Sequence, residues 1–241
     1  MFILKINATG STNTFLKEFL IENGSQHACV VIAEHQTSGR GQVGKTWISQ
    51  AGKSLTFSVY KPFKWELCQA FYILMAVSLA IKKTLTDLGV PEVMVKWPND
   101  ILSAGKKICG ILIENLSQGG HIHGMIIGIG LNVNEQSLPG LPQATSMFLS
   151  TQKKYDRDQV VDGVLQALDR ELERLQQTTE EVKANYLEHL YKRNVPGVFE
   201  TAQAGNFIGV IRDISTTGKL IVEDPQGLYE EYDLQQIKMQ L

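Results

Sequence analysis

The sequence predicts an α+β (α/β) fold: a mixed β-sheet carrying packed helices, followed by a small all-β domain. Three observations lead there. Short apolar runs of strand length recur through the first half of the chain, separated by turns rich in Gly, Pro and Asn. Residues 66–88 form the longest helical pattern, apolar on almost every side, which marks a central buried helix rather than a surface one. After Val195-Pro196-Gly197, short β-like runs alternate with the turns Thr217-Gly218 and Pro225-Gln226-Gly227. A boundary is therefore expected near Val195, giving domains 1–194 and 195–241.

The elements follow in order. Residues 2–6 read as a short strand. Ser11-Thr12-Asn13-Thr14 offers N-cap candidates ahead of Phe15, Leu16, Phe19 and Leu20, whose spacing puts them on one helical face, and Gly24 stops that helix. Residues 28–34 are a continuous apolar run, the pattern of a buried strand. The Gly-rich, polar stretch 35–52 leads into an alternating strand at 54–60. A strand at 93–96 ends in the turn Trp97-Pro98-Asn99-Asp100. Strands at 108–114 and 121–134 flank the turn Ser117-Gln118-Gly119-Gly120. Helices are expected at 156–178 and 181–192, and β-runs at 207–211, 219–223 and 229–234.

The chain has 241 residues, with 23 Lys+Arg against 25 Asp+Glu. A net charge of −2 leaves no clustered basic footprint for nucleic acid, so no DNA partner is expected. Three cysteines (Cys29, Cys68 and Cys109) lie far apart, with no CxxC pair. That argues against a disulfide framework or zinc ribbon and fits a reducing cytoplasm. The first residues lack a basic leader followed by a long apolar region. The apolar stretch 71–81 reads as too short to cross a bilayer, which takes about 20 residues. A cytoplasmic, non-membrane protein is expected.

Gly39-Arg40-Gly41-Gln42-Val43-Gly44-Lys45-Thr46 matches the P-loop pattern residue for residue. A P-loop, however, must run directly into a helix whose N-terminus faces the phosphates. Here Lys45-Thr46 leads to a Gly-containing turn and then to a β-alternating run, so the P-loop reading fails. A Gly-rich loop that meets an anion with backbone N–H groups and Arg40 survives the test.

Five segments carry chemistry together: Ser11-Thr12-Asn13; Gln36 with Gly39-Arg40-Gly41-Gln42 and Trp47; Lys96-Trp97-Pro98-Asn99-Asp100; Lys107-x-x-Gly110-Ile111-Leu112-x-Glu114; and Gly128-x-Gly130-x-Asn132. As a series they resemble the biotin protein ligases over nearly the whole chain, although each piece alone is weak. The resemblance implies a catalytic domain of the class II aminoacyl-tRNA synthetase/biotin ligase type with an SH3-like C-terminal β-barrel. It also implies a two-step reaction. The biotin carboxylate attacks the α-phosphate of ATP to give biotinyl-5′-AMP, and a lysine of a biotin carboxyl carrier domain then takes the biotinyl group. ATP and Mg²⁺ are the implied cofactors.

The same resemblance assigns residues. Arg40, Lys107 and Asp100 are the catalytic candidates, since two anions must meet and cations are needed where charge gathers. Ser11, Thr12, Asn13, Gln36, Gly39, Arg40, Gly41, Gln42, Lys107 and Gly110 are assigned to biotin. Arg40, Trp47, Asn99, Lys107 and Asn132 are assigned to ATP, with the Trp47 indole available to stack on adenine. Asp100 is the candidate Mg²⁺ ligand, because Mg²⁺ favours carboxylate plus phosphate oxygens. Loops at 39–54 and 117–120 are expected to order over the adenylate. Gln42 departs from the family pattern, where many members carry a second Arg, and Lys45 stands where Arg or Asn is common.

Plainer readings stand beside these. Ser11-Thr12-Asn13 serves equally as a helix cap, Trp97-Pro98-Asn99-Asp100 as a hairpin turn, and Cys109 as a small buried apolar residue. His121-x-His123 has no evident third metal ligand. The carboxyl pairs Glu171/Glu173 and Glu180/Glu181 read as exposed helix faces. The competing functions are a lipoate or octanoate ligase of the same superfamily, a P-loop nucleotide-binding protein, and a non-catalytic biotin sensor. With Ser11 this near the start, a ligase without the helix-turn-helix domain that some relatives carry is expected. A homodimer is expected only by analogy.

Overall fold

The apolar run at 28–34 is continuous because both faces of the strand it forms are covered. That strand is β2 (Cys29–Gln36), preceded by β1 (Phe2–Thr9) and α1 (Thr12–Asn23). Val30 and Ile32 point into the main core, whereas Cys29 and Val31 point the other way, onto Leu16 and Leu20 of α1. The period of two along a strand thus divides one sequence run between two layers. The structure is a computed structural model and describes residues 1–24, 27–202 and 205–240.

Beyond β2 come the short strands β3 (Gly39–Arg40) and β4 (Thr46–Trp47), then β5 (Leu55–Glu66), α2 (Ala70–Asp87), β6 (Val93–Lys96), β7 (Asp100–Ser103), β8 (Lys106–Gln118) and β9 (His121–Leu131). A seven-stranded sheet results, in the order β1-β2-β5-β9-β8-β7-β6. Only β1 and β2 pair in parallel and the remaining neighbours are antiparallel, so the sheet is mixed, as expected. The helices α3 (Met147–Thr151), α4 (Arg157–Gln177) and α5 (Thr179–Glu188) follow. Helix α2 lies between the sheet and α4 and α5, with Ile73, Ala76, Val77, Ala80 and Ile81 fully buried.

Several expectations need correction. Helix α2 starts at Ala70 rather than 66, because β5 runs on beside β9 as far as Glu66 opposite His121. The span Leu67–Asp87 does reach 21 residues and holds an 18-residue stretch of mean hydropathy 1.3, enough to cross a membrane by length and composition; 61% of that stretch is buried inside the protein, as befits a core helix. Helix α5 ends at Glu188, where the chain turns to bond β6 through Val95 N–H to the His189 carbonyl and Tyr191 N–H to the Val95 carbonyl. Strand β7 and helix α3 were not expected. Glu171, expected on an exposed face, is buried on α4, while Glu181 is exposed.

The C-terminal residues form a five-stranded antiparallel sheet from β10 (Pro196–Thr201), β11 (Gly205–Ile214), β12 (Leu220–Glu223), β13 (Tyr229–Tyr232) and β14 (Ile237–Met239), in the order β13-β12-β11-β10-β14. Two of these strands, β10 and β14, escaped the sequence reading. The apolar side chains Phe199, Ile211, Ile214, Leu220, Val222 and Ile237 join the same core cluster as α2 and the large sheet.

Candidate active site

Three glycines, Gly110, Gly128 and Gly130, open a trough in the face of the large sheet that α1 covers. Gly128 stands opposite Leu112, and Gly130 opposite Gly110, all four on the same face as Ile126, which packs under α1. A methyl group on Gly128 would come within 3.0 Å of the Asn13 side chain, and one on Gly130 within 2.7 Å of the Trp47 indole. Glycine here lets the first turn of α1 and the β3–β4 hairpin lie directly on the sheet.

The start of α1 is tied down by its polar residues. Gln36 Oε1 accepts from the Thr12 backbone N–H at 2.8 Å and from the Thr12 hydroxyl at 3.0 Å. The Ser58 hydroxyl lies 2.7 Å from Thr12 Oγ1 and 2.6 Å from Asn13 Oδ1. Asn13 Nδ2 donates to Glu114 at 2.8 Å and to the Leu112 carbonyl at 3.3 Å. The capping expectation fails in detail: Ser11 is the N-cap, but its hydroxyl makes no capping bond. Thr12 and Asn13 act instead as buried brackets between helix and sheet.

The loop that mimics a P-loop is a hairpin. Gly39 pairs with Trp47 and Arg40 with Thr46, joined by a single 3₁₀ turn at Gln42–Gly44, so Lys45 and Thr46 enter a strand and not a helix. Exposed Arg40 donates to the Thr14 hydroxyl at 3.2 Å. The buried Gln42 Oε1, Trp47 Nε1 and Ser49 Oγ have no protein partner. Unpaired buried polar atoms of this kind cost about 1–3 kcal/mol each.

Charge gathers at the end of the trough. Lys107 Nζ lies 2.6 Å from Asp100 Oδ1 and 5.7 Å from the centre of the Trp47 ring. Asp100 is the register partner of both Lys96 and Gly110, so its carboxylate stands beside two lysines. Burial lowers the pKa of Lys96; Asp100 opposes that shift, and Lys107, Lys45 and Lys192 add to it. Asn99 donates to the Ile111 carbonyl at 2.7 Å, and its own carbonyl accepts the Ile111 N–H at 3.0 Å. The Trp97–Pro98 peptide is cis.

A cavity of about 930 Å³ unites these parts. Its walls bring together Ser11, Thr12, Asn13, Gln36, Arg40, Gly41, Gln42, Trp47, Asn99, Asp100, Lys107 and Gly110 from among the candidate site residues. Gly39 is buried beneath the wall, where a side chain would meet Gln36 Nε2 at 2.9 Å. Asn132 is not part of the wall: it is buried, and its amide donates to the Thr145 carbonyl at 2.9 Å. The 117–120 turn closes the far end of β8 and β9, eight residues from Gly110 or about 27 Å of strand, and does not reach the cavity. Cys109 is fully buried, which pushes its thiol pKa up, so it is an inert core residue.

Other residues line or brace the cavity besides those assigned to biotin, ATP or catalysis. Lys45 and Lys96 line the cavity, and Ser58 braces it from below. Glu200, Gln236 and Lys238 close it from the C-terminal sheet. Lys96 was legible in principle, since it opens the Lys96-Trp97-Pro98 motif immediately before the turn. Residues of the small sheet carried no local signal.

Among the described residues no three His, Cys, Asp or Glu side chains form a metal-binding group. Asp100 alone suits an ion that keeps most of its oxygen ligands from water and phosphate, as Mg²⁺ does.

Comparison with known proteins agrees with this geometry. Residues 6–132, more than half of the chain, match the model of the Biotin/lipoate A/B protein ligase family. A biotin–(acetyl-CoA-carboxylase) ligase of Mycobacterium tuberculosis is 29% identical over 219 residues, covering 89% of this chain and 80% of that protein. The structure of a biotin protein ligase mutant from Aquifex aeolicus in complex with biotin superposes with a TM-score of 0.79 at 25% identity, covering 100% of this chain and 98% of that one. A second structure of the Aquifex aeolicus ligase, with biotin and ATP, gives 0.79 at 24% identity, covering 99% and 98%. The chain belongs to the biotin/lipoate A/B protein ligase family.

Proposed function

We propose that this protein is a biotin protein ligase, which activates biotin with ATP and transfers it to a lysine of a biotin carboxyl carrier domain. One observation carries the reading: a single cavity joins a polar recess at the start of α1 to a cluster of cations around Lys107. The recess, with Ser11, Thr12 and Gln36, suits the ureido ring, and Gly110, Ile111 and Leu112 offer an apolar strand to the rest of biotin. Its carboxylate would then lie toward Lys107.

In the first step a carboxylate oxygen bonds to the α-phosphorus of ATP, and the bond to pyrophosphate breaks. Lys107 leaves Asp100 to neutralise the gathering negative charge, with Arg40, Lys45 and Lys96 as further cations. Lys45 supplies a positive charge in the loop where Gln42 does not. In the second step the acceptor amine attacks the acyl carbon, and the bond to AMP breaks. Trp47, against Gly110 and Gly130 on the cavity wall, would cover the intermediate and keep water from the anhydride. Asp100 would hold Mg²⁺, which when bound would supply charge neutralisation. Asn132 supports the floor from behind through Thr145. The domain boundary near Val195, the SH3-like character of the small sheet, a homodimer through the exposed edge strand β1, and a cytoplasmic location compatible with the free thiols of Cys29, Cys68 and Cys109 belong to the same proposal.

The test is incubation of the purified protein with ATP, Mg²⁺ and labelled biotin or lipoate, with and without an acceptor carrier domain. Biotinyl-AMP followed by labelled acceptor is expected. Labelling by lipoate alone would overturn the reading.

A further inference from the structure

We infer that Gly218, in the turn between β11 and β12, is a positioning residue for the Trp97–Asp100 turn of the active site and acts through the Trp97 indole. What that turn does rests on the ligase reading above; how it is held rests on geometry alone. Trp97 Nε1 donates to the Gly218 carbonyl at 2.9 Å, across 121 residues of sequence. Gly218 has φ +92°, and a methyl group there would come within 2.7 Å of Phe71 Cβ and overlap its ring. Only glycine lets this backbone lie flat against the first turn of α2, and that close approach brings its carbonyl to the indole.

Both ends of the strut are rigid. On one side, the Ser215 carbonyl accepts the Gly218 N–H at 3.0 Å, the Ser215 hydroxyl accepts the Lys219 N–H at 3.0 Å, and the Ser215 N–H donates to the Lys219 carbonyl at 2.9 Å. Phe71, beneath Gly218, meets the buried Tyr186 ring edge-on at 6.1 Å. On the other side, Trp97 leads through Pro98 to Asn99, which grips Ile111 by two hydrogen bonds, and to Asp100, which holds Lys107. A continuous line of contacts therefore runs from α2 through Gly218 and Trp97 to the cation at the reacting centre. The small sheet fixes where Asp100 stands and so where Lys107 rests.

The test compares Trp97→Phe, which keeps an aromatic ring and loses the donor, with Gly218→Ala in the full chain. Three quantities are measured: amide hydrogen exchange, single-turnover biotinyl-AMP formation, and biotin affinity. A lost neutral hydrogen bond is worth up to about tenfold in equilibrium. Exchange at the Ile111 amide and at residues 215–219 is expected to rise about tenfold, and the rate of adenylate formation to fall by a similar factor. Biotin affinity should change less than about twofold, because the recess at Ser11, Thr12 and Gln36 is braced separately. Unchanged exchange in Trp97→Phe overturns the inference, as does raised exchange with an unaltered rate. If the wild-type protein makes no biotinyl-AMP, the ligase reading falls, and exchange at Ile111 alone decides whether Gly218 holds the turn. Should Gly218→Ala fail to fold, Trp97→Phe gives the same decision.

Discussion

Lys107 shows how much one residue's role depends on its neighbours. In sequence Lys106 and Lys107 are alike; in the structure Lys106 is exposed on strand β8, while Lys107 is ion-paired with Asp100 and its ammonium lies over the Trp47 ring. Lys107→Ala removes the cation nearest the reacting groups. Losing one preorganised partner of developing charge lowers the rate by about 10²–10³. Single-turnover adenylate formation should fall by that factor while the far-ultraviolet circular dichroism stays native; a near-normal rate would refute the role. The spacing Lys-x-x-Gly made Lys107 legible in the sequence. Asn132, assigned to ATP on the same kind of motif, instead has its buried amide donating to the Thr145 carbonyl, outside the cavity wall. Spacing shows which residues share an element but not which face of the chain meets the cavity.

At the scale of elements, the glycines of β8 and β9 and the brackets of α1 explain each other. Strand alternation places Gly110, Leu112, Gly128 and Gly130 on one face, and the helix start and the Trp47 hairpin fill the space those missing side chains leave. The unexpected burial of Glu171 on α4 has a consequence for stability. Burial raises its carboxyl above the ordinary value of 4.5, outweighing the pull of Arg174, Lys83 and Arg170, and one oxygen lacks a partner. The folded state therefore holds this proton more tightly than the unfolded chain does. The stability it confers is complete below the unfolded value and is lost as pH rises through the folded one. Glu171→Met removes that loss, so its melting temperature should gain on that of wild type as pH rises from below the ordinary carboxyl value of 4.5 to above it. A difference that is constant across that range, or that shrinks, would contradict the assignment. Periodicity gave α4 correctly but treated Glu171 as solvated, since the helix packed against its flank is remote in sequence.

At the scale of the molecule, the two sheets share one core. Phe199 of β10 is 1% exposed and belongs to the same apolar cluster as Ile73 of α2 and Val95 of β6. The active-site cavity is likewise walled by both sheets, and Trp97 bonds Gly218 between them. Phe199→Ala deletes a fully buried ring and should destabilise by about 3–5 kcal/mol. Because the core is shared, calorimetry should show one transition moved to lower temperature; two separated transitions would show that the sheets melt independently.

The sequence by itself determined the fold class, most of the strands and helices, the failure of the P-loop, and the main cavity residues. These follow from local properties: the alternation of apolar residues, the stop signals of Gly and Pro, and a series of motifs whose order is itself specific. Only the tertiary structure decided that Asp100 stands between Lys96 and Lys107, that Ser58 and Glu114 brace the start of α1, that Asn132 lies behind the wall, and that the small sheet reaches the active site through Gly218. Asp100 meets its lysines across short turns, but the other contacts join residues that are distant along the chain, and no local pattern encodes the packing that brings them together.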